Sequence, residues 1–252
     1  MIPDIKPNSM LYLNNVSVSF DGFKALNSLS IVIEPGELRA IIGPNGAGKT
    51  TMMDIITGKT RPDEGEVFFN GQVDLTKKDE ADIAQLGIGR KFQKPTVFES
   101  HTVWDNLELA LNRNRGVFAT LFYRLTPADR DRIDEILETV RLSHRRDEFA
   151  ANLSHGQKQW LEIGMVMASN PKVLMLDEPV AGLTEDETER TVALVHGLKR
   201  SDRAVVVVEH DMDFVERIAD RVTVLHEGRT LFEGTMANAR ADERVVDVYL
   251  WR

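Results

Sequence analysis

The stretch Gly43-Pro44-Asn45-Gly46-Ala47-Gly48-Lys49-Thr50 follows the pattern G-x-x-x-x-G-K-[ST]. It lies between Leu38 to Ile42, an apolar run that reads as a strand, and Thr51 to Ile56, which has helical character. A strand, a glycine-rich turn and a helix in that order form the context in which this pattern binds phosphate. The glycines let successive backbone N–H groups turn onto phosphate oxygens, and the helix N-terminus adds a favourable dipole. Gly43, Pro44, Asn45, Gly46, Ala47, Gly48, Lys49, Thr50 and Thr51 are therefore the expected nucleotide cradle. Lys49 would reach the β- and γ-phosphates, and the Thr50 hydroxyl would ligate Mg²⁺.

Upstream of this loop, Leu11, Leu13, Val16, Val18, Phe20, then Leu29, Ile31 and Ile33 alternate with polar residues. That period predicts strands with Asp21-Gly22 as their turn. Downstream, Arg61-Pro62-Asp63-Glu64-Gly65 punctuates before a short strand, Glu66 to Phe69. From about Val103 to Met167 the period becomes helical, with Ile133, Ile136, Leu137, Val140 and Leu142 as its apolar stripe. Thr126-Pro127 reads as a helix start, Thr as N-cap and Pro at the first helical position. Beyond Pro171, strands and helices alternate again: Val173–Leu176, Glu185–Lys199, Ala204–Glu209, Met212–Asp220, Arg221–Leu225 and Arg229–Phe232. Such alternation predicts a parallel sheet with crossover helices, which the helical block interrupts as an insertion.

Two of those strands end in chemistry. Val173-Leu174-Met175-Leu176 delivers Asp177 and Glu178. Asp177 is expected to hold Mg²⁺, directly or through water, and Glu178 to take the proton of the attacking water. Val205-Val206-Val207-Val208 delivers Glu209 and His210, and a histidine at the carboxyl end of a parallel strand faces the ligand side of such sheets.

The rest of the composition narrows the function. Net charge is −9, from 31 basic and 40 acidic residues, and the basic residues are dispersed, which disfavours nucleic acid as the partner. The longest aliphatic runs have the length of a buried strand, far short of the roughly 20 residues that span a bilayer. The N-terminus Met1-Ile2-Pro3-Asp4-Ile5-Lys6-Pro7 lacks signal-peptide features, and the chain has no cysteine. A cytoplasmic location is the expectation.

Leu153-Ser154-His155-Gly156-Gln157 precedes the Asp177-Glu178 strand by some 20 residues. The order phosphate loop, Gln93 within Arg90-Lys91-Phe92-Gln93, this signature, the Asp177 strand and His210 resembles the ABC ATPase superfamily, from Leu11 to Arg252. The resemblance implies an α/β fold: a P-loop NTPase (RecA-like) core with an antiparallel β subdomain and an inserted α-helical subdomain. It implies one ABC ATPase domain over 1–252, with the β subdomain and first part of the core in 1–93. The helical signature subdomain is then 94–167 and the rest of the core 168–252.

The resemblance also implies site roles. Phe20 would stack on adenine. Gln93 would reach Mg²⁺ and the water, and His210 would contact the γ-phosphate. Ser154, Gly156 and Gln157 would meet the γ-phosphate held by the opposite subunit. The implied catalytic set is Glu178, His210, Gln93 and Lys49; the implied metal set is Thr50, Gln93 and Asp177; the cofactors are ATP and Mg²⁺. The implied partners are transmembrane permease subunits, a second ABC ATPase subunit as homo- or heterodimer, and, indirectly, a solute-binding protein. The chain would sit peripherally on the inner face of the cell membrane.

Two residues depart from the family pattern: His155 stands where a second Gly is usual, and Thr184 ends Ala181-Gly182-Leu183-Thr184 where Asp is usual. The latter puts the usual D-loop geometry in doubt, with a neutral hydrogen bond from Thr184 as the expected substitute. Gly87 to Gln93, Thr102-Val103-Trp104-Asp105-Asn106-Leu107 and Val248-Tyr249-Leu250 resemble the branched-chain amino-acid importer group. Val117-Phe118-Ala119-Thr120-Leu121-Phe122-Tyr123 is most similar to the urea importer ATPases of that group, or is ordinary subdomain packing. Urea or branched-chain amino acids are the solutes implied. The alternatives are a lipopolysaccharide-export-type ATPase and a soluble, non-transport ABC ATPase.

Overall fold

A computed structural model describes residues 9–92, 96–111 and 125–250. The chain divides into two compact units: Met1–Arg90 with Lys172–Glu178 and Leu198–Arg252, and Lys91–Pro171 with Pro179–Gly197. The segmentation expected from sequence has no place for Pro179–Gly197 outside the core, whereas these residues cluster with the helices.

In the first unit, strand β1 (Leu11–Phe20) pairs antiparallel with both β2 (Phe23–Ile33) and β4 (Glu64–Phe69). With β5 (Val73–Asp74) they form a four-stranded sheet in the order β2-β1-β4-β5. The buried side of β1 changes parity between Leu13 and Val16, and the register shifts at the same place, where Asn15 has φ 49°. This β-bulge explains why the apolar alternation of the sequence skips a beat there.

The second sheet has the order β10-β9-β3-β8-β7-β6, formed by β3 (Leu38–Ile42), β6 (Ile88–Lys91), β7 (Val173–Asp177), β8 (Ala204–Val208), β9 (Arg221–His226) and β10 (Arg229–Gly234). Strands β9, β3, β8 and β7 run parallel. Every residue of β3, β7 and β8 is buried, as expected for parallel strands covered on both faces. Helix α1 (Lys49–Ile56) buries Met52, Met53, Ile55 and Ile56 in a core shared with residues of both sheets. Arg39 in β3 is fully buried, but its guanidinium is matched by Glu37 at 2.6 Å, Glu233 at 2.9 Å and the Thr223 hydroxyl at 2.8 Å. Helices α2 (Glu80–Leu86) and α7 (Met212–Ile218) complete this unit, with α8 (Met236–Ala241) and α9 (Glu243–Leu250).

The helical unit contains α3 (Val103–Ala110), α4 (Pro127–Thr139), α5 (His155–Ala168) and most of α6 (Glu185–Leu198). Helix α4 starts as the sequence predicts, with Thr126 as N-cap, Pro127 in the first turn and Asp129 closing a capping box. Gly164 lets α5 approach its neighbours, since a Cβ there would lie 3.1–3.3 Å from Ile136, Leu107 and Val140. Trp160 Nε1 donates to Thr191 Oγ1 at 3.0 Å, both buried, which ties α5 to α6.

Candidate nucleotide site

Register puts the chemistry on one edge of the six-stranded sheet. Ile41 pairs with Val208, and Val208 with Asp177, so β3, β8 and β7 end side by side. The residues that follow are Gly43, Glu209-His210 and Glu178, all at the carboxyl ends of parallel strands, where ligands of open α/β sheets bind. These residues and α1 belong to one compact unit.

The phosphate loop turns on two glycines, Gly43 and Gly48, where a side chain would clash. Gly43 has φ 152°, and a Cβ there would lie 2.3 Å from the Leu225 carbonyl oxygen. Gly48 has φ 100° and caps α1 without a side chain. Lys49 Nζ donates to the carbonyls of Gly43 at 2.6 Å and Pro44 at 3.0 Å, so it arches over the loop it belongs to. Thr50 and Thr51 follow it in the first turn of α1, the end whose backbone N–H groups have no helical partners.

Asp177 is buried, and its Oδ2 accepts from Arg90 Nη2 at 2.8 Å. Glu178 has φ 47°, an uncommon conformation for a residue with a Cβ and one that concentrates at functional sites. Its backbone N–H donates to Val208 O at 2.9 Å, and its Oε1 lies 3.8 Å from His210 Nδ1. His210 has 65% of its side chain exposed and stands over Glu209, whose buried carboxylate lies 3.5 Å from Nδ1. Glu209 Oε2 also accepts the N–H groups of His210 at 2.8 Å and Asp211 at 3.3 Å. Glu209 was not among the expected site residues. Its signal was present, a carboxylate at the end of a valine-rich strand immediately before the histidine.

Phe20 and Phe23 pair across the Asp21-Gly22 turn and are both open to solvent, 47% and 63% exposed. The sequence singled out Phe20 alone. Gln93 and Val117–Tyr123 lie outside the described residues.

Ser154 is the N-cap of α5, and Gly156 and Gln157 lie in its first turn. Ser154 and Gln157 form its capping box: the Ser154 hydroxyl accepts from Gln157 N–H at 3.2 Å, and Gln157 Oε1 accepts from Ser154 N–H at 3.0 Å. Ser154 Oγ also donates to Glu187 Oε1 at 3.2 Å. The other oxygen of Glu187 accepts from the N–H and the hydroxyl of Thr184, at 3.1 and 3.2 Å, and Glu187 N–H donates back to Thr184 Oγ1 at 3.3 Å. Thr184 thus caps α6 where Asp is usual, and Glu187 joins that cap to the signature. The Thr184 N–H first, against the cost of burial, then the Thr184 and Ser154 hydroxyls, hold the Glu187 carboxyl below its ordinary range. His155 Nε2 lies 3.2 Å from Ala181 O, so both departures from the family pattern meet on the same short segment.

The comparisons with known proteins agree with this geometry. Residues 26–181 match the ABC transporter family. A probable branched-chain amino acid transport ATP-binding protein LivG of Archaeoglobus fulgidus is 36% identical over 245 residues, covering 96% of this chain and 95% of that protein. The high-affinity branched-chain amino acid transport ATP-binding protein LivG of Escherichia coli K12 is 34% identical over 249 residues, covering 96% and 97%. An ATP-binding cassette of an ABC transporter in its ADP conformation superposes with a TM-score of 0.84 at 33% identity, over 97% of this chain and 99% of that one. A dimeric cassette in a post-hydrolysis state with ADP and Pi gives 0.76 at 28% identity, over 90% and 99%. The chain belongs to the ABC transporter family, as one of its ATP-binding, ATP-hydrolysing cassettes.

Proposed function

We propose that this chain hydrolyses ATP to drive uptake of branched-chain amino acids through a separate permease, as one half of a pair of cassettes. The observation that carries the ATP reading is the shared strand edge on which the phosphate loop, Asp177-Glu178 and Glu209-His210 lie. The solute comes from the relatives, which match over nearly their whole length and are named for branched-chain amino acids. Those relatives favour amino acids over urea, and the segment behind the urea reading lies outside the described residues.

In this reading Lys49 leaves its loop carbonyls for the β- and γ-phosphate oxygens, whose charge outcompetes neutral acceptors. The loop N–H groups and the α1 N-terminus hold the remaining oxygens. Phe20 offers its exposed ring to the adenine face. Thr50, Asp177 and Gln93 would supply the hard oxygen donors that suit Mg²⁺, an ion held by one or two carboxylates plus substrate phosphates. Bound there, the ion would neutralise charge on the β- and γ-phosphates. Glu178 accepts a proton from the attacking water as its oxygen bonds to the γ-phosphorus and the bond to the β–γ bridging oxygen breaks. Glu209, beneath His210, orients the imidazole towards the departing phosphate. Ser154, Gly156 and Gln157 serve the nucleotide of the second cassette, a role consistent with the dimeric state of a related cassette.

The test is uptake of labelled leucine and labelled urea by cells lacking this chain, restored with the wild type or with Glu178→Gln. Leucine uptake should return with the wild type only, and the purified variant should hydrolyse ATP about 10²–10⁴-fold more slowly while still binding it. Restoration of urea uptake instead would reassign the solute. Near-normal hydrolysis by Glu178→Gln would remove that residue from the base role.

A further inference from the structure

Arg90, in β6, is buried together with Asp177, and it also joins the half-buried Asp54. Its Nη2 donates to Asp177 Oδ2 at 2.8 Å, and its Nη1 donates to Asp54 Oδ1 at 2.5 Å. Asp54 stands one helical turn after Thr50 on α1 and has a second, more exposed partner in Lys59 at 3.6 Å. One planar guanidinium therefore links the two elements, α1 and β7, that carry Thr50 and Asp177. Burying an arginine is costly unless its charge is matched, and here two carboxylates from distant parts of the chain take its Nη1 and Nη2 donors.

We infer that Arg90 is a positioning residue for the Mg²⁺ ligands. It restricts the rotamer of Asp177, which would help hold the ion, by engaging Oδ2, and it fixes the offset between Asp177 and Thr50 by gripping Asp54 with its other nitrogen. Lysine could supply the charge but not the fork, because a point ammonium cannot serve two carboxylates in one plane. The inference rests on the reading of Thr50 and Asp177 as metal ligands.

The test compares Arg90→Lys, Asp54→Asn and Asp177→Asn in the purified full chain. One measurement is the affinity for a fluorescent ATP analogue in EDTA and in Mg²⁺; the other is Mn²⁺ binding in the presence of ATP, followed by electron paramagnetic resonance. Arg90→Lys should weaken Mn²⁺ binding about ten-fold or more, in line with the loss of other groups that orient a metal ligand. Its affinity for the analogue in EDTA should stay that of the wild type. Asp54→Asn, which is not a ligand in this scheme, should move Mn²⁺ affinity in the same direction by a smaller factor. Asp177→Asn should abolish the difference between EDTA and Mg²⁺; if it does not, the reading of Asp177 as a ligand fails. If Asp177→Asn behaves as expected but Arg90→Lys keeps wild-type Mn²⁺ affinity and only lowers the melting temperature, Arg90 is a structural pin and the inference is overturned. Tighter Mn²⁺ binding in Arg90→Lys overturns it as well.

Discussion

Thr184 offers the sharpest test of how this chain manages without the usual aspartate. Its hydroxyl accepts from Glu187 N–H at 3.3 Å and donates to Glu187 Oε2 at 3.2 Å. Thr184→Ala deletes both contacts and leaves the backbone N–H of residue 184 and the Ser154 hydroxyl on Glu187, so it should destabilise the helical unit by about 1 kcal/mol, the usual cost of losing an N-cap. Thr184→Asp keeps a cap acceptor but sets a second carboxylate beside Glu187. At ~4 Å in a solvated setting that repulsion is worth about 1 kcal/mol, which outweighs the few tenths by which Asp out-caps Thr. The variant the family pattern would favour should therefore gain nothing here. In a Glu187→Gln background the repulsion is gone, and Thr184→Asp should become stabilising, with a coupling of about 1 kcal/mol between the two positions. Urea unfolding followed by tryptophan fluorescence suits the measurement, because Trp160 is buried against Thr191 in the affected unit. Two results would refute the reasoning. One is Thr184→Ala matching the wild type within about 0.3 kcal/mol, the range of an ordinary surface change. The other is a Thr184→Asp effect of the same size whether Glu187 is intact or replaced by glutamine.

Gly43→Ala should cost about 3 kcal/mol or more, combining a φ of 152° with a Cβ placed 2.3 Å from Leu225 O. Gly46→Ala, with φ 81° and no atom near its Cβ, should cost only about 1 kcal/mol; equal losses in chemical unfolding would discredit the steric account. Phe20→Ala should weaken ATP binding about ten-fold, the value of one stacked base, with Phe23→Ala near wild type, and the reverse order in a binding titration would move the adenine contact to Phe23. Burial pushes the Glu162 carboxyl above its ordinary range, against the opposing pull of the Thr96 N–H and of Lys91. The folded state then holds that proton more tightly than the unfolded state. The wild type should lose stability relative to Glu162→Gln as pH rises from the ordinary carboxylate value through the raised one, and the difference should be constant above it. A difference that grows as pH falls would reverse the sign and rule out burial as the cause.

What the sequence made legible follows from how local each signal is. The phosphate loop is written in eight consecutive residues, and β7 and β8 are runs of apolar residues ending in acids, so chain order alone located those pieces. The start of α4 was legible for the same reason, since Thr126 and Pro127 are neighbours. The capping box of α6 was equally local, Thr184-Glu185-Asp186-Glu187, but the family comparison drew attention to the missing aspartate rather than to the Thr-x-x-Glu that replaces it. The short helices α2, α8 and α9 escaped, whereas α1 and α7, of similar length, were marked by the glycine-rich loop and the strands around them. Contacts made across long separations left no trace at all. Arg90 reaches Asp54 over 36 positions and Asp177 over 87, and Ser154 reaches Glu187 over 33. No periodicity or spacing rule connects such residues; only the sheet order that sets β6 beside β7, and the packing of α5 on α6, brings them together. The residues expected to touch nucleotide were thus readable one motif at a time, while those that hold them in place became visible only with the fold.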